Sequence, residues 1–281
     1  MKQYQGLALP QSFYGRIKHS RLIITLLALL VGGLFILLTA SCSSRHYNPT
    51  AYQYVHHSEL QSADISTVTI APVNYGTPSR SYLNRHAASI NRQVSNYISD
   101  SGYNLIDTEQ LFLQNWREAE LQHGALFNPG TGHVTAARGQ ALSDTLSAVF
   151  DDNPDLDAII FTDIIEVAVS YQSGSQRLAR WHGVQRSAHF EGTGRSVDRH
   201  FDWNQAFDGI SLAVFIFNRD GKLVFHSIGG IQISQSIYVS NNRGTIRRRS
   251  DLLRNTREIE EGIQLALHPF IIMANYPGYP R

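Results

Sequence analysis

Cysteine is almost absent. Of 281 residues only Cys42 carries a thiol, so no disulfide can close within the chain and cysteine catalysis is excluded beyond that position. Lysine is nearly as scarce: after Cys42 only Lys222 is lysine, and the other basic residues are arginines, whose planar fork suits bidentate contacts to carboxylate and phosphate. Acidic residues are missing from the first 42 positions. Several chemistries lack their motifs. There is no Gly-x-Ser-x-Gly elbow for a serine nucleophile, no His-Glu-x-x-His pair for zinc and no Gly-x-x-x-x-Gly-Lys loop for phosphate. Gly192-Thr193-Gly194-Arg195 lacks the lysine and the strand-to-helix setting, and reads as a turn. The formal charge of +1 misleads, because four of the 24 basic residues precede Cys42 and leave 20 against 23 acidic residues beyond it. A weakly acidic chain gives no global reason to expect nucleic acid.

What the chain does have stands at its start. Lys2, Arg16, Lys18 and Arg21 precede an uncharged, largely apolar run, Leu22 to Ala40, which closes on Ser41-Cys42-Ser43-Ser44. A basic start, an apolar middle and a small-residue end make an export signal. A cysteine directly after small residues resembles a bacterial lipobox. That resemblance implies cleavage after residue 41 and a diacylglycerol-bearing Cys42 as the mature N-terminus. The match departs in one place: Thr39 occupies the position where a lipobox has leucine, and Leu38 lies one place earlier. The run also exceeds the ~7–15 residues of a signal core and approaches the ~20 of a membrane span. Residues 1–41 are therefore expected to be a cleaved lipoprotein signal, with an uncleaved anchor helix in the inner membrane as the alternative. Ser43, where inner-membrane lipoproteins carry aspartate, points by resemblance to the periplasmic face of the outer membrane.

Residues 42–63 read as a flexible polar tether, with a reach of about 70 Å at ~3.5 Å per residue. His56-His57 lacks a third ligand nearby and makes a poor metal site. Beyond it a single domain is expected over 64–268. Residues 66–73 alternate as a strand. Ser81–Ser101 carries Leu83, Ala87, Ile90, Val94, Tyr97 and Ile98 at helical spacing, with Gly102 as its stop. A short strand, 103–106, precedes a helix capped by Thr108, and a further helix covers about 134–150. The run from Leu156 reads first as a central strand, near-continuously apolar. Residues 177–190 are expected to pair back as one or two strands. Ile210–Phe217 and 223–228 form a hairpin across Asn218-Arg219-Asp220-Gly221-Lys222, extended to Val239 past a Gly229-Gly230 bulge. The last helix starts near Ser250 and Pro269 ends it. Residues 269–281 read as an extended tail.

The order β-α-β-α-α-β-β-β-β-α predicts an α+β fold: a mixed, largely antiparallel sheet with helices packed mainly on one face. Val68-Thr69-Ile70-Ala71-Pro72-Val73, Leu156 to Asp163 and Val214 to Val224 carry a resemblance over about 64–268. They are similar to a group of envelope domains that includes the TolB N-terminal domain, the curli secretion lipoprotein and the lipoproteins that activate penicillin-binding proteins. The resemblance implies an accessory role in the envelope; a shared fold does not fix function.

Two regions hold candidate functional residues. The segment 180–208 gathers His182, His189, His200, Glu191, Asp198, Asp202 and Asp208, with Trp181, Phe190, Phe201, Trp203 and Phe207 interleaved. Its acid–base and metal readings weigh less than strand residues facing water. Its aromatics, Trp181 and Trp203 foremost, are candidates for a partner surface, though half-buried strands look the same. Arg247, Arg248 and Arg249 form the one basic cluster. They are read as the approach to a helix, where arginine opposes the macrodipole, and as a site for an acidic protein, a lipid head group or a wall polymer. No catalytic residue, cofactor or metal is assigned. The chain is expected to be a non-enzymatic lipoprotein, held in the membrane by the lipid on Cys42. It would bind another envelope protein or peptidoglycan, not nucleic acid, with homo-oligomerisation left open. The alternatives are an oligomeric outer-membrane secretion-channel subunit, drawing membrane strands from 170–209, and an envelope hydrolase.

Overall fold

In the computed structural model the described residues are 55–56, 65–72, 81–126, 135–171, 177–241 and 243–276. The run read as an export signal, Cys42 and most of the segment read as a tether lie outside them, as do residues 277–281. The strands are β1 (Val55–His56), β2 (Thr67–Ile70), β3 (Asn104–Leu105), β4 (Ala158–Val169), β5 (Leu178–Trp181), β6 (Val184–Ser187), β7 (Phe190–Gly192), β8 (Phe207–Asn218), β9 (Leu223–Ile233), β10 (Gln235–Ser240) and β11 (Arg243–Arg248). The helices are α1 (Ser81–Asp100), α2 (Glu109–His123), α3 (Ala136–Asp152) and α4 (Thr256–Leu267). The α+β class and the element order hold, with short strands added in the second half.

Six strands form the main sheet in the order β1-β9-β8-β4-β2-β3. The sheet is mixed: β2 runs parallel to β3 and β4, whereas β4–β8, β8–β9 and β9–β1 are antiparallel. β1 falls inside the segment read as a tether, and its two residues pair with Phe225 and His226 on β9.

The helices, expected mainly on one face, divide two and two. Val68, Ile70, Ile160, Ile164, Leu212 and Val214 share a core with Leu83, Ile90, Val94 and Ile98 of α1 and Ile259 and Ile263 of α4. Ala71, Ile159 and Phe161 share another with Phe112 and Trp116 of α2 and Leu146 and Val149 of α3. Alternate strand residues point to opposite faces, and the apolar start of β4 leaves both faces to be covered.

Local signals explain most boundaries. Gly102 ends α1 with φ +92°, a conformation that costs glycine little, and Tyr103 N–H donates back to Ile98 O. Gly221 takes φ +69° in the β8–β9 turn, where Asn218 Oδ1 accepts from Lys222 N–H. Thr108 does not cap α2. Its hydroxyl bonds instead to the Thr69 hydroxyl at 2.8 Å, buried, while Asp107 Oδ1 accepts from Glu109 N–H. Arg219, in the hairpin turn, reaches the end of α3 and donates to the carbonyls of Asn153 and Leu156, where a cation opposes the negative end of the helix.

Gly229 and Gly230 mark more than a bulge. A Cβ on Gly229 would strike Gly262 O of α4, and one on Gly230 would sit 2.9 Å from Trp181 O. The strand is thus bare on both sides, so that α4 closes on one face and the β5–β6 hairpin on the other. The register shift falls just beyond, between the Ile210↔Gln232 and Ser211↔Gly230 pairs. Nor does the chain run free after α4. Phe270 stacks on Tyr103 at 4.8 Å, Ile271 is buried in the α1–α4 core, and Tyr276 stacks on His268 at 3.7 Å.

Asp157 fixes the start of β2. Its Oδ2 accepts from Ser66 N–H, Thr67 N–H and the Ser66 hydroxyl at 2.8–3.0 Å. Burial pushes this carboxyl up, but those donors, with the charge of Arg219, outweigh it and hold it below the usual range. A lowered pKa contributes stability above the unfolded value of about 3.9 that is lost as pH falls through the folded one. Asp157→Asn is expected to lower stability at pH 7 by about 1 kcal/mol, discounted for partial exposure. Urea titrations at pH 7 and pH 3 should show the gap between variant and wild type narrowing in acid.

Candidate functional site

β4 and β8 are each 12 residues long and pair along their whole length, about 40 Å at ~3.3 Å per residue. Their far ends are covered by the segment that follows β4 and by β10. Val169, Phe207 and Ile233 form a third core there with Trp181 and Val184 of the β5–β6 hairpin and Ile237 and Val239 of β10. β10 lies between β11 and β7 in a separate three-stranded sheet. Residues 177–190 therefore pair back as a single hairpin, β5–β6, while Phe190 enters β7, parallel to β10.

Trp181, expected at a partner surface, is only 6% exposed. Its Nε1–H donates to Ser211 Oγ at 3.1 Å, and His182 Nδ1 meets the same hydroxyl at 2.8 Å. A Cβ on Gly209 would lie 2.9 Å from the Trp181 ring, so the missing side chain is what lets the indole lie flat on β8. Trp181 belongs to the core, and burial holds the His182 imidazole below its ordinary pKa.

Trp203 is placed differently. It is half-buried, edge-on to Tyr171 at 5.7 Å and to Phe201 at 4.9 Å, and the Arg177 guanidinium covers its ring at 4.7 Å. Arg177 holds φ +47°, a sparsely populated conformation for a residue with a Cβ. Beside them opens a cleft of about 370 Å³, lined among others by Phe190, Arg195, Asp198 and Arg199. Arg195 and Arg199 are exposed, and neither they nor Arg177 has a carboxylate within ion-pair distance among the described residues.

The arginine run 247–249 is not the approach to a helix. Arg247 and Arg248 end β11, and α4 begins only at Thr256, so the macrodipole argument does not apply. Nor do the three side chains share a patch. Arg247 lies over Tyr238 at 3.9 Å; Arg248 lies over Tyr82 at 3.9 Å and 3.5 Å from Glu166. Arg249 turns inward, forks onto Asp251 at 2.9 Å twice and reaches Ile233 O. Arg186 does the same for Ile231 O at 2.7 Å, so two arginines cap carbonyls on the outer edge of β9.

The acid–base candidates are dispersed into separate local roles. Asp198 Oδ1 accepts from His200 N–H and Asp202 Oδ1 from Asn204 N–H, both as turn formers. His189 lies 3.8 Å from Glu191 at the surface. Asp208 is pushed up by burial and then by Glu166, with Arg248 opposing; its Oδ2 accepts from Gln235 at the corner between β8 and β10. Tyr82 is pushed up to about 12, by burial first and then by Glu166. Among the described residues no group of three or more His, Cys, Asp or Glu could hold a metal ion, and no helix is long and apolar enough to cross a membrane. The side chains of His56 and His57 lie outside the description.

The cleft itself was only partly legible in the sequence. Phe190, Phe201 and Trp203 stood out as aromatics among polar residues. Arg177, Arg195 and Arg199 did not, because they come from loops whose approach depends on β7 joining β10.

No protein-family model matches the chain, and no curated protein matches it in sequence. Among solved structures, two crystal forms of the PelC dodecamer from Paraburkholderia phytofirmans, one of a point variant, share 8% identity with it. They cover 77% of this chain and 94% of the PelC chain, with TM-scores of 0.31 and 0.29.

The two tryptophans should respond differently to truncation. Trp181→Ala is expected to cost about 3–5 kcal/mol, as for a fully buried aromatic, and to leave the Ser211 hydroxyl short of a donor. Trp203→Ala, half-exposed, should cost about half as much. Chemical denaturation of both variants checks the order.

Proposed function

We propose that the chain is a membrane-tethered envelope lipoprotein. It acts as a non-enzymatic binding module that holds another envelope protein or a wall polymer at the cleft beside Trp203. The observation that carries this reading is the arrangement at the N-terminus: a basic start, a long apolar run and Cys42 behind small residues, followed by a polar stretch and then folded structure. The lipid on Cys42 would supply the anchor, at the periplasmic face of the outer membrane by the Ser43 resemblance. A single acyl chain anchors marginally, so two or more are required for stable attachment.

Pairing of β1 with β9 shortens the tether. From Cys42 to Val55 the chain spans at most about 45 Å at ~3.5 Å per residue, less than the whole polar segment would reach. A binding module held this close meets partners near the membrane. The dispersal of His182, His189, His200, Asp198 and Asp202 into a half-buried hydrogen bond, a surface pair and two turns supports a binding role over hydrolysis. The channel-subunit reading requires membrane strands of ~9–11 residues. β5 and β6 have four residues each and β7 has three, all within a segment packed on the third core.

Intact-mass measurement of membrane-purified protein tests the anchor, and crosslinking in cells tests the role. The mass should show loss of residues 1–41 and gain of lipid. A Cys42→Ala form should lose the crosslinked partners that wild type captures. A full-length unmodified mass, or equal capture by both forms, would overturn the reading, and detergent-resistant rings would move it to the channel subunit.

A further inference from the structure

The cleft beside Trp203 combines two features that select a ligand. Its floor is aromatic: Phe190 and Trp203 line it, edge-on to each other at 6.3 Å, and Phe201 supports Trp203 at 4.9 Å. Its rim is cationic, with Arg177 drawn over the Trp203 ring and Arg195 and Arg199 exposed at its mouth. Other arginines of this domain are committed to partners of their own. Arg186 is matched by Glu258 and Glu261, Arg249 by Asp251, and Arg219 by the carbonyls that end α3. The cleft arginines have no carboxylate within ion-pair distance among the described residues, in a chain whose part beyond Cys42 carries more acid than base.

The rim is not uniformly positive. Asp198 lies between Arg195 and Arg199 in sequence, lines the same cleft and spends only Oδ1 on His200 N–H. A continuous polyanion would meet that carboxylate and be repelled. A peptide need not. Its carboxylates are spaced by uncharged residues, and its backbone N–H groups offer Asp198 Oδ2 a donor. Aromatic and arginine side chains together are also what protein interfaces concentrate.

We infer that this cleft binds an acidic peptide segment of a partner protein. Carboxylates of the segment pair with Arg177, Arg195 and Arg199, and an adjacent apolar or aromatic side chain rests against Trp203 and Phe190. The inference rests on the binding-module reading and names the partner's chemistry at that site.

The test is selection of a random seven-residue peptide display library on full-length protein in detergent. The selected peptides are then titrated against wild type, a double charge-reversal form (R195E with R199E) and a control reversed on the exposed face of α1 (R92E). Both cleft arginines lie in exposed loop, so folding of the double variant is checked by its denaturation midpoint. The expected result is enrichment of Asp and Glu beside an aromatic residue. Affinity should fall about tenfold or more in the double variant, stay unchanged in the control and weaken as salt rises. Peptides without acidic enrichment, or equal binding by the double variant, would overturn the inference. So would inorganic polyphosphate displacing the peptides and binding more tightly, which would put a polyanion in their place. Peptide binding needs no lipid, and the intact mass of the same preparation reports the state of Cys42. Failure here is therefore distinguishable from failure of the tether.

Discussion

The pairing of β4 with β8 sets the rest of the structure. Twelve residues of each strand match one to one, from Ala158↔Asn218 to Val169↔Phe207. The ladder is longer than the helices on either side can cover. α2 and α3 bury the end that holds Ile159 and Phe161, and α1 and α4 bury the opposite face. The other end would leave Val169 and Phe207 in water, at a cost of ~25 cal/mol for each Å² of apolar surface. The segment between the two strands supplies the cover together with the strands that follow β9. The β5–β6 hairpin lies on Gly209 and Gly230, and the β7–β10–β11 sheet carries Ile237 and Val239 into the same core.

The cleft is a by-product of that cover. Chain that returns from β4 to β8 by way of a hairpin and a third sheet leaves irregular backbone between β7 and β8. Its polar side chains need not be buried there. Trp203 holds the irregular stretch down through Tyr171 and Phe201, and the arginines and Asp198 are left facing outward. Structure and candidate function thus meet in one segment: the residues that finish the core also shape the opening.

Much of the scaffold was legible in the sequence because its signals are local. Alternation marked β2, the spacing of Leu83, Ile90, Val94 and Ile98 marked α1, and Asn218 to Lys222 marked the hairpin. What escaped notice depends on contacts made far away along the chain. Arg243–Arg248 has no apolar alternation strong enough to announce a strand, and it becomes one only because β10 lies beside it. Thr108 has the chemistry of a cap, yet the buried Thr69 hydroxyl takes it. The glycine pair at 229–230 announced a bulge, whereas its full reason, close approach by α4 and by the hairpin, lies in two distant elements. At the site, Trp181 and Trp203 looked alike in sequence. Gly209 and Gly230 beneath Trp181, with no such glycine beneath Trp203 among the described residues, separate a core indole from a rim indole.

The central claim is that the segment between β4 and β8 is a water-facing cover with a binding cleft, and not a membrane-inserting element. The chain's three tryptophans, Trp116, Trp181 and Trp203, allow a direct measurement. Full-length protein is placed in vesicles whose acyl chains carry bromine, and tryptophan emission is compared with that in unbrominated vesicles. Phe substitutions at each position assign the signal. The account predicts no bromine quenching of Trp181 or Trp203, with Trp203 open to aqueous acrylamide and Trp181 shielded from it. Quenching of either by the brominated chains would contradict it and put the segment in the bilayer.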